Sequence, residues 1–491
     1  MSSRVLVFAG LSEKVMAGHN DIESIRQQLR EHHQEHLLTF WPQLDLRQRQ
    51  ELLGQIRELD LGSIDEWVEQ LVKQAPAPAV ATKDFRPAPS YSPEPCTAAQ
   101  RHKYKEAIEL GEKLISQGNV AALTVAGGQG TRLGFDGPKG SFPISPIKHK
   151  TLFRLFAETI QAITQRYGAA CPWYIMTSPM NHAQTVAIFK TDNYYGLDAQ
   201  DVFIFQQGTL PNFAFDGRIL LEDKARIAHS PDGHGGCIRA LDRSGALADM
   251  KKRGVKYISY WQVDNPLVRL FDPLFIGLHA LDGAEMSSKA VIKNSPKERV
   301  GNFCLVDGKM TVIEYSDLPD ELAEKRRPDG SLAFELGSIA IHVIGTSFVE
   351  KLNTENYSLP LHRAVKRISH IGPEGHQIEP KQPNGVKLES FIFDALPLAK
   401  ESIIIEILRR EQFAPVKNAT GEDSVETTRR MMVERAAAWL ESAGVKVPRK
   451  PDGSADCIIE MAPSFALDRQ DVPTKRDRIP PIKPGDRLYL V

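Results

Sequence analysis

The stretch that decides the fold runs Ala121-Ala122-Leu123-Thr124-Val125-Ala126-Gly127-Gly128-Gln129-Gly130-Thr131-Arg132-Leu133-Gly134, and Pro138-Lys139-Gly140 follows closely. A short apolar run bounded by glycines predicts a buried strand that ends in a tight loop. Glycines at 127, 128 and 130 carry no Cβ, so backbone N–H groups can come close to a phosphate. Arg132 and Lys139 add fixed positive charge to the same loop. That combination suits a triphosphate, which needs neutralisation as well as amide donors. Three commoner phosphate motifs are absent. No GxxxxGK[ST] string occurs, Gly134 lies one residue too far for GxGxxG, and HRD and DFG are both missing.

Outward from this loop, strand and helix patterns alternate from about 99 to 390. Strands are predicted at 173–177, 202–206, 257–263 and 338–344, with a hairpin over 303–315 turned by Asp307-Gly308. Such alternation means an α/β domain around a mixed, mostly parallel sheet flanked by helices. Residues 21–75 read as helices, and six prolines between Pro76 and Pro95 make a connector. The last part, 391–491, reads as a small α+β region. The expected division is 1–98, 99–390 and 391–491.

Composition narrows the function classes. Of 491 residues, 42% are hydrophobic and 25% charged, which excludes disordered, collagenous and disulfide-rich classes. Lys+Arg number 61 against 62 Asp+Glu, so no global field draws nucleic acid or an anionic membrane. Five scattered cysteines include no CxxC pair, and no stretch approaches a membrane span. A cytoplasmic protein with neither a nucleic-acid nor a membrane partner is expected. Oligomeric state is left open.

The glycine loop and Pro138-Lys139-Gly140 resemble the signature of sugar nucleotidyltransferases. More specifically, the chain resembles the eukaryotic-type UDP-N-acetylhexosamine pyrophosphorylase family, within the type 1 UDP-glucose pyrophosphorylase superfamily. Further motifs carry the likeness in family order: Pro172–Ser178, Phe205–Gly208, Ser230–Gly236, Val263–Asn265, Val312–Ser316, Asn384–Glu389 and Phe413–Ala419. The resemblance implies a Rossmann-like (GT-A-like) fold and the Mg²⁺-assisted reaction of UTP with a sugar 1-phosphate, giving a UDP-sugar and diphosphate.

It also implies residue roles. Val125, Ala126, Gly127 and Gly128 would line uridine and ribose, Gln207 would bind the uracil edge, and Gly233 would lie against the base. Lys139 would contact the UTP phosphates, and Arg132 would add charge. Asp264, just after the 257–263 run, would hold Mg²⁺ against the α-phosphate. Lys387 and Lys417 would meet the α-phosphate and the sugar phosphate, and Glu314 would bind sugar hydroxyls. The sugar 1-phosphate oxygen attacks directly, so positioning and cationic stabilisation suffice without a side-chain nucleophile.

Two positions depart from the acetylhexosamine pattern. His234 stands where PDGNGG has Asn, and Ser338 where GNIANH has its first Asn. Both positions face the sugar in the family. N-acetylglucosamine 1-phosphate is the expected substrate, with a UDP-glucose or broad UDP-sugar pyrophosphorylase as the alternative. A non-catalytic UDP-sugar-binding regulator is the alternative from another class, and the glycine spacing disfavours an NAD oxidoreductase. Asp394 is either a second metal ligand or a helix cap. The HxxEH string His32–His36 matches a zinc pattern but lacks its context, and reads as a polar helix face.

Overall fold

The computed structural model describes residues 22–74, 84–355 and 358–491. Contacts divide the chain into two units. One comprises Met1–Ala79, Thr209–Gly233 and Pro360–Phe391, and the other Val80–Gly208, His234–Leu359 and Ile392–Val491. These units do not coincide with three consecutive domains, because residues 209–233 and 360–391 fold with the N-terminal helices.

The larger unit is built on ten strands: β1 (Phe85–Pro87), β2 (Val120–Val125), β3 (Trp173–Thr177), β4 (Val202–Gln206), β5 (Tyr257–Gln262), β6 (Met286–Ile292), β7 (Gly301–Val306), β8 (Lys309–Ile313), β9 (Leu336–Gly345) and β10 (Ser402–Glu406). Their order is β1-β7-β9-β5-β2-β3-β4, with β6 pairing β9 and β10, and β8 pairing β7. The run β5-β2-β3-β4 is parallel, as is β6 with β10. Pairings around β7 and β9 are antiparallel. The sheet is therefore mixed, and its parallel half contains the glycine-loop strand. β1 lies inside the Pro-rich connector, at an edge, where a strand tolerates proline.

β2 and β3 are buried along almost their whole length and mostly apolar, because both of their faces are covered, as in parallel sheets. The Trp173 indole N–H donates to Thr124 Oγ1 at 2.8 Å, tying β3 to β2. Helices α1 (Ala98–Ser116), α2 (Leu152–Tyr167), α3 (His182–Thr191), α4 (Pro273–Leu281) and α5 (Val425–Ser442) belong to the same unit. α1 begins at a Thr97 capping box closed by Gln100. It meets α4 backbone to backbone: a Cβ on Gly277 would lie 1.7 Å from Ala107 O, and one on Gly111 2.0 Å from Pro273 O. α2 buries Phe153 and Phe156 edge-on against Trp173 and Trp261. The predicted β7–β8 hairpin turns at Asp307 (φ 51°) and Gly308 (φ 80°), the two left-handed positions a two-residue turn needs.

In the smaller unit, Leu29, Leu37, Leu52 and Ile64 pack with Phe213, Ile219, Val386 and Leu388. Strands Leu361–Lys366, Gly385–Ser390 and Phe213–Ala214 form its sheet. The HxxEH segment is structural. Gln34 bridges the Gly217 carbonyl and the Ile219 N–H, His36 Nε2 contacts the Ile219 carbonyl at 2.7 Å, and Glu35 pairs with Arg30. Among the described residues, no group of three or more His, Cys, Asp or Glu is arranged to hold a metal.

Candidate active site

In the larger unit, Val125 ends β2, hydrogen-bonded between β5 and β3, and the chain leaves at the carboxyl ends of these parallel strands. Open α/β sheets place ligands at that edge. Ala126 N–H still donates to Met176 O at 2.7 Å; Gly127 and Gly128 then form the loop. Gln207 follows β4, fixed by its N–H to Thr177 O at 2.8 Å, and is buried. Its Oε1 occupies the space in front of Gly127, where a Cβ would come within 2.5 Å of it. A side chain at 127 would push the Gln207 amide back, so the uracil-reading candidate sits directly on the glycine loop.

The charged residues converge as well. Lys139 N–H donates to Gly128 O at 3.0 Å, folding the Pro138-Lys139-Gly140 segment back on the loop. Lys139 Nζ lies 3.7 Å from Asp264 Oδ2, and both side chains are mostly buried. Asp264 follows β5, and its carbonyl accepts from Val416 N–H at 2.8 Å, which brings Lys417 next to it in the chain. Ala419 N–H donates to Arg132 O at 3.1 Å. The segment 416–419 therefore runs from Asp264 to Arg132. The Lys417 ammonium pairs with Asp423 at 3.2 Å, while the Arg132 side chain is exposed and makes no ion pair among the described residues.

Glu314, just after β8, and Ser338, near the start of β9, come together. A Cβ on Gly301 would lie 3.5 Å from Glu314 Oε1 and 3.7 Å from Ser338 Cβ. β8 packs beside the turn Ile392–Leu398. His234 contacts the same turn: Ile392 N–H donates to its Nδ1 at 3.1 Å, and Phe393 meets its ring edge-on. With Nδ1 accepting, the His234 proton sits on Nε2, so the ring offers one donor.

Gly233 and Lys387 lie in the smaller unit. Gly233 has φ +84°, and a Cβ there would be 2.3 Å from Ser390 O. Its tight fit against the strand Gly385–Ser390 is a backbone reason for glycine at that position. Lys387 lies on the same strand, opposite Ala364, and burial lowers its pKa, with Glu389 partly offsetting the effect.

Sequence reasoning missed three sets of supporting residues. Ser178 and Asn181 hold the glycine-loop carbonyls. Asn265 fixes residues 412–414, its Nδ2 donating to Gln412 O and its Oδ1 accepting from Ala414 N–H. Arg429 on α5 donates to Pro143 and Ile144 carbonyls, and Glu460 accepts from Ile147 and Lys148 N–H groups. The C-terminal region thus braces the segment that follows Lys139. Ser178 and Asn265 stood within the motifs Pro172–Ser178 and Val263–Asn265, which gave neither of them a role. The others act through backbone groups far away in sequence.

Residues 72–489 match the sequence profile of the UTP–glucose-1-phosphate uridylyltransferase family. The chain is 38% identical to UDP-N-acetylhexosamine pyrophosphorylase-like protein 1 of Xenopus tropicalis, over 86% of this chain and 85% of that one. It is 35% identical to the UDP-N-acetylglucosamine pyrophosphorylase of Saccharomyces cerevisiae, over 84% of this chain and 90% of the yeast protein. Its fold matches the crystal structure of the uridine diphosphate N-acetylglucosamine pyrophosphorylase from Trypanosoma brucei, with a TM-score of 0.79, 24% identity, and 96% and 98% of the two chains covered. A profile match across most of the chain, joined to a glycine loop that closes on a Lys139–Asp264 pair, shows that this chain belongs to the sugar 1-phosphate uridylyltransferase family.

Proposed function

We propose that the chain transfers the uridylyl group of UTP to N-acetylglucosamine 1-phosphate. A phosphate oxygen of the sugar 1-phosphate attacks the α-phosphorus in line. The bond from the α-phosphorus to the bridging oxygen breaks, and diphosphate leaves with that electron pair. The observation that carries this reading is the Lys139–Asp264 contact at 3.7 Å beside the glycine loop, with Lys417 and Arg132 on one connected segment. Four charged groups around one loop fit the meeting of two polyanions, and they disfavour a purely regulatory binder.

Asp264 also fits a magnesium site of the usual kind. Mg²⁺ is commonly held by one or two carboxylates plus substrate phosphates rather than by an all-protein cage. Asp264 is a carboxylate at a strand end, facing Lys139. Bound there, the ion would neutralise phosphate charge. Lys139 would orient the UTP phosphates, Lys417 the incoming sugar phosphate, and Lys387 the α-phosphate. Gln207 would read uracil with Gly233 against the base, while Val125 to Gly128 line uridine and ribose. Glu314, Ser338 and His234 would face the sugar. A cytoplasmic location accords with five cysteines that form no disulfide, four of them buried.

A second reading rests on His234 and Ser338. A single Nε2–H and a short hydroxyl replace two amides, each of which could both donate and accept. That exchange favours glucose or galactose 1-phosphate, or broad specificity. A panel of sugar 1-phosphates with UTP and Mg²⁺, read by diphosphate release, decides between the two. Preference for N-acetylglucosamine 1-phosphate, kept in His234→Asn, supports the main reading. If glucose 1-phosphate wins, and His234→Asn moves preference toward the acetylated sugar by about 1–3 kcal/mol, the second reading stands. No diphosphate release with any sugar would overturn both.

A further inference from the structure

Three consecutive carbonyls of the glycine loop are tied down from one side. Asn181 Nδ2 donates to Ala126 O at 2.9 Å and to Gly128 O at 3.2 Å. Ser178 Oγ donates to Gly127 O, between them, at 2.8 Å. The two side chains are locked in turn: Asn181 Oδ1 accepts from Ser178 N–H at 3.0 Å, and the Asn181 and His182 N–H groups both donate to Ser178 O as α3 begins. Ser178 and Asn181 are almost wholly buried, so no solvent competes for these bonds.

The peptide plane converts this into a statement about the opposite side of the loop. In a trans peptide the carbonyl of one residue and the N–H of the next point in opposite directions. The described chain contains no cis peptide. Holding the carbonyls of 126, 127 and 128 toward Ser178 and Asn181 therefore turns the N–H groups of Gly127, Gly128 and Gln129 away from them. Those three N–H groups donate to no protein acceptor among the described residues. Their neighbours do: Ala126 N–H bonds Met176 O at 2.7 Å and Gly130 N–H bonds Gly137 O at 2.9 Å. Successive backbone N–H groups aimed the same way are a concave donor surface for anionic or carbonyl oxygens.

We infer that Ser178 and Asn181 are positioning residues for the nucleotide, setting three peptide planes so that three amide donors face UTP. This rests on the uridylyltransferase reading and extends it. Neither side chain touches the substrate in this arrangement. Each acts through the backbone, at a distance from the charges that do the chemistry. Removing Ser178 Oγ frees the Gly127 carbonyl; removing the Asn181 amide frees the Ala126 carbonyl, leaves Gly128 O to the Lys139 N–H alone, and takes away the acceptor that locks Ser178 N–H. The nucleotide should therefore lose affinity in that order, while the sugar phosphate is bound as before.

The test compares Ser178→Ala, Asn181→Ala and a control, Thr185→Val, by calorimetric UTP binding, steady-state kinetics and thermal melting. Thr185 lies on the same helix, is buried, and its hydroxyl has no hydrogen-bond partner. The expected result is a UTP dissociation constant raised about threefold to tenfold in Ser178→Ala, and more in Asn181→Ala. KM for the sugar phosphate should hold in both variants, and Thr185→Val should behave as the parent. If the parent binds UTP and a folded Ser178→Ala or Asn181→Ala binds it equally well, the inference is wrong. It is equally wrong if KM for both substrates rises together in step with melting temperature, since that marks general loosening. If Asn181→Ala does not fold, Ser178→Ala alone decides by the same criteria. A parent that neither binds UTP nor releases diphosphate overturns the uridylyltransferase reading itself, and this inference falls with it.

Discussion

Gly127→Ala adds one methyl group at the point where the glycine loop meets Gln207. The backbone accepts the change, because Gly127 is not among the glycines with positive φ. The new Cβ would stand 2.5 Å from Gln207 Oε1. Ordinary contact lies near 3.5 Å, so the amide must retreat by about 1 Å. It is the far end of a flexible side chain, so the fold should survive with little loss of stability. The cost falls on recognition. A shift of about 1 Å carries a good hydrogen bond to the uracil edge beyond bonding range, worth about 1–3 kcal/mol. KM for UTP should rise between about fivefold and 150-fold, with kcat changed far less, because the lost contact is made equally in ground and transition states. Selectivity for UTP over ATP should fall by a similar ratio. Initial rates of diphosphate release at varied UTP and ATP, with a melting curve on the same samples, measure all three quantities. An unchanged KM for UTP in a folded variant would refute the placement of Gln207 at the base.

Asp264→Asn is nearly isosteric and should keep the melting temperature, but kcat should drop at least about 10²-fold; normal turnover at limiting Mg²⁺ would remove Asp264 as the metal ligand. Lys289 on β6 is completely buried and pairs with Asp272 at 2.6 Å. Burial opposes ionisation of Asp272, yet Lys289 and Arg269 outweigh it and hold the carboxyl at about 2. Lys289→Met leaves Asp272 with only the Arg269 guanidinium, 3.5 Å away, and should cost about 3 kcal/mol in denaturant unfolding; an unaffected variant would show that the pair carries no such charge. His279 and His342 are each pushed down from 6.5 to about 3 by burial. The unfolded chain then binds more protons than the folded one, so stability is intact above pH 6.5 and falls as pH drops toward 3. By pH 5 the two together should cost about 4 kcal/mol, and a flat stability profile from pH 7 to 5 would contradict their burial as neutral rings.

The parts of the molecule legible in the sequence are those whose physics is local. A buried strand ending in glycines and an Asp-Gly hairpin turn each need only neighbours along the chain. β2 and the β7–β8 hairpin accordingly lie where those patterns stand. The smaller unit was not legible as a unit. Phe213, Ile219, Val386 and Leu388 join helices more than 100 residues away, and no periodicity in any one segment marks that partner. The register of β9 against β6 was hidden for a related reason. Between Ser288 and Ala290 one residue of β6 faces three of β9, and Ala340 takes a φ of +53° inside that bulge. An alanine gives no sign that it will adopt a left-handed conformation.

The same distinction governs the site. Lys139 could be named because positive charge beside a glycine loop has few other uses, and Asp264 could be named through the family resemblance. Ser178 and Asn181 could not, because short polar residues ahead of a helix ordinarily satisfy that helix's own N–H groups. Here they serve carbonyls about 50 residues upstream instead, and Asn181 makes no side-chain cap. A cation beside a glycine loop stands out by type. Residues that set the backbone's orientation show only once the peptide planes they hold are known. A glycine loop is permissive in isolation, since its residues give up more conformational freedom than any others on ordering. Something must impose one conformation on it. In this chain the constraint comes from three sides: Ser178 and Asn181 behind the loop, Gln207 in front of Gly127, and the Lys139 N–H on the Gly128 carbonyl. Under the proposed function, the loop's flexibility is thereby removed before the nucleotide arrives, which is the condition for amide donors to bind without an ordering cost.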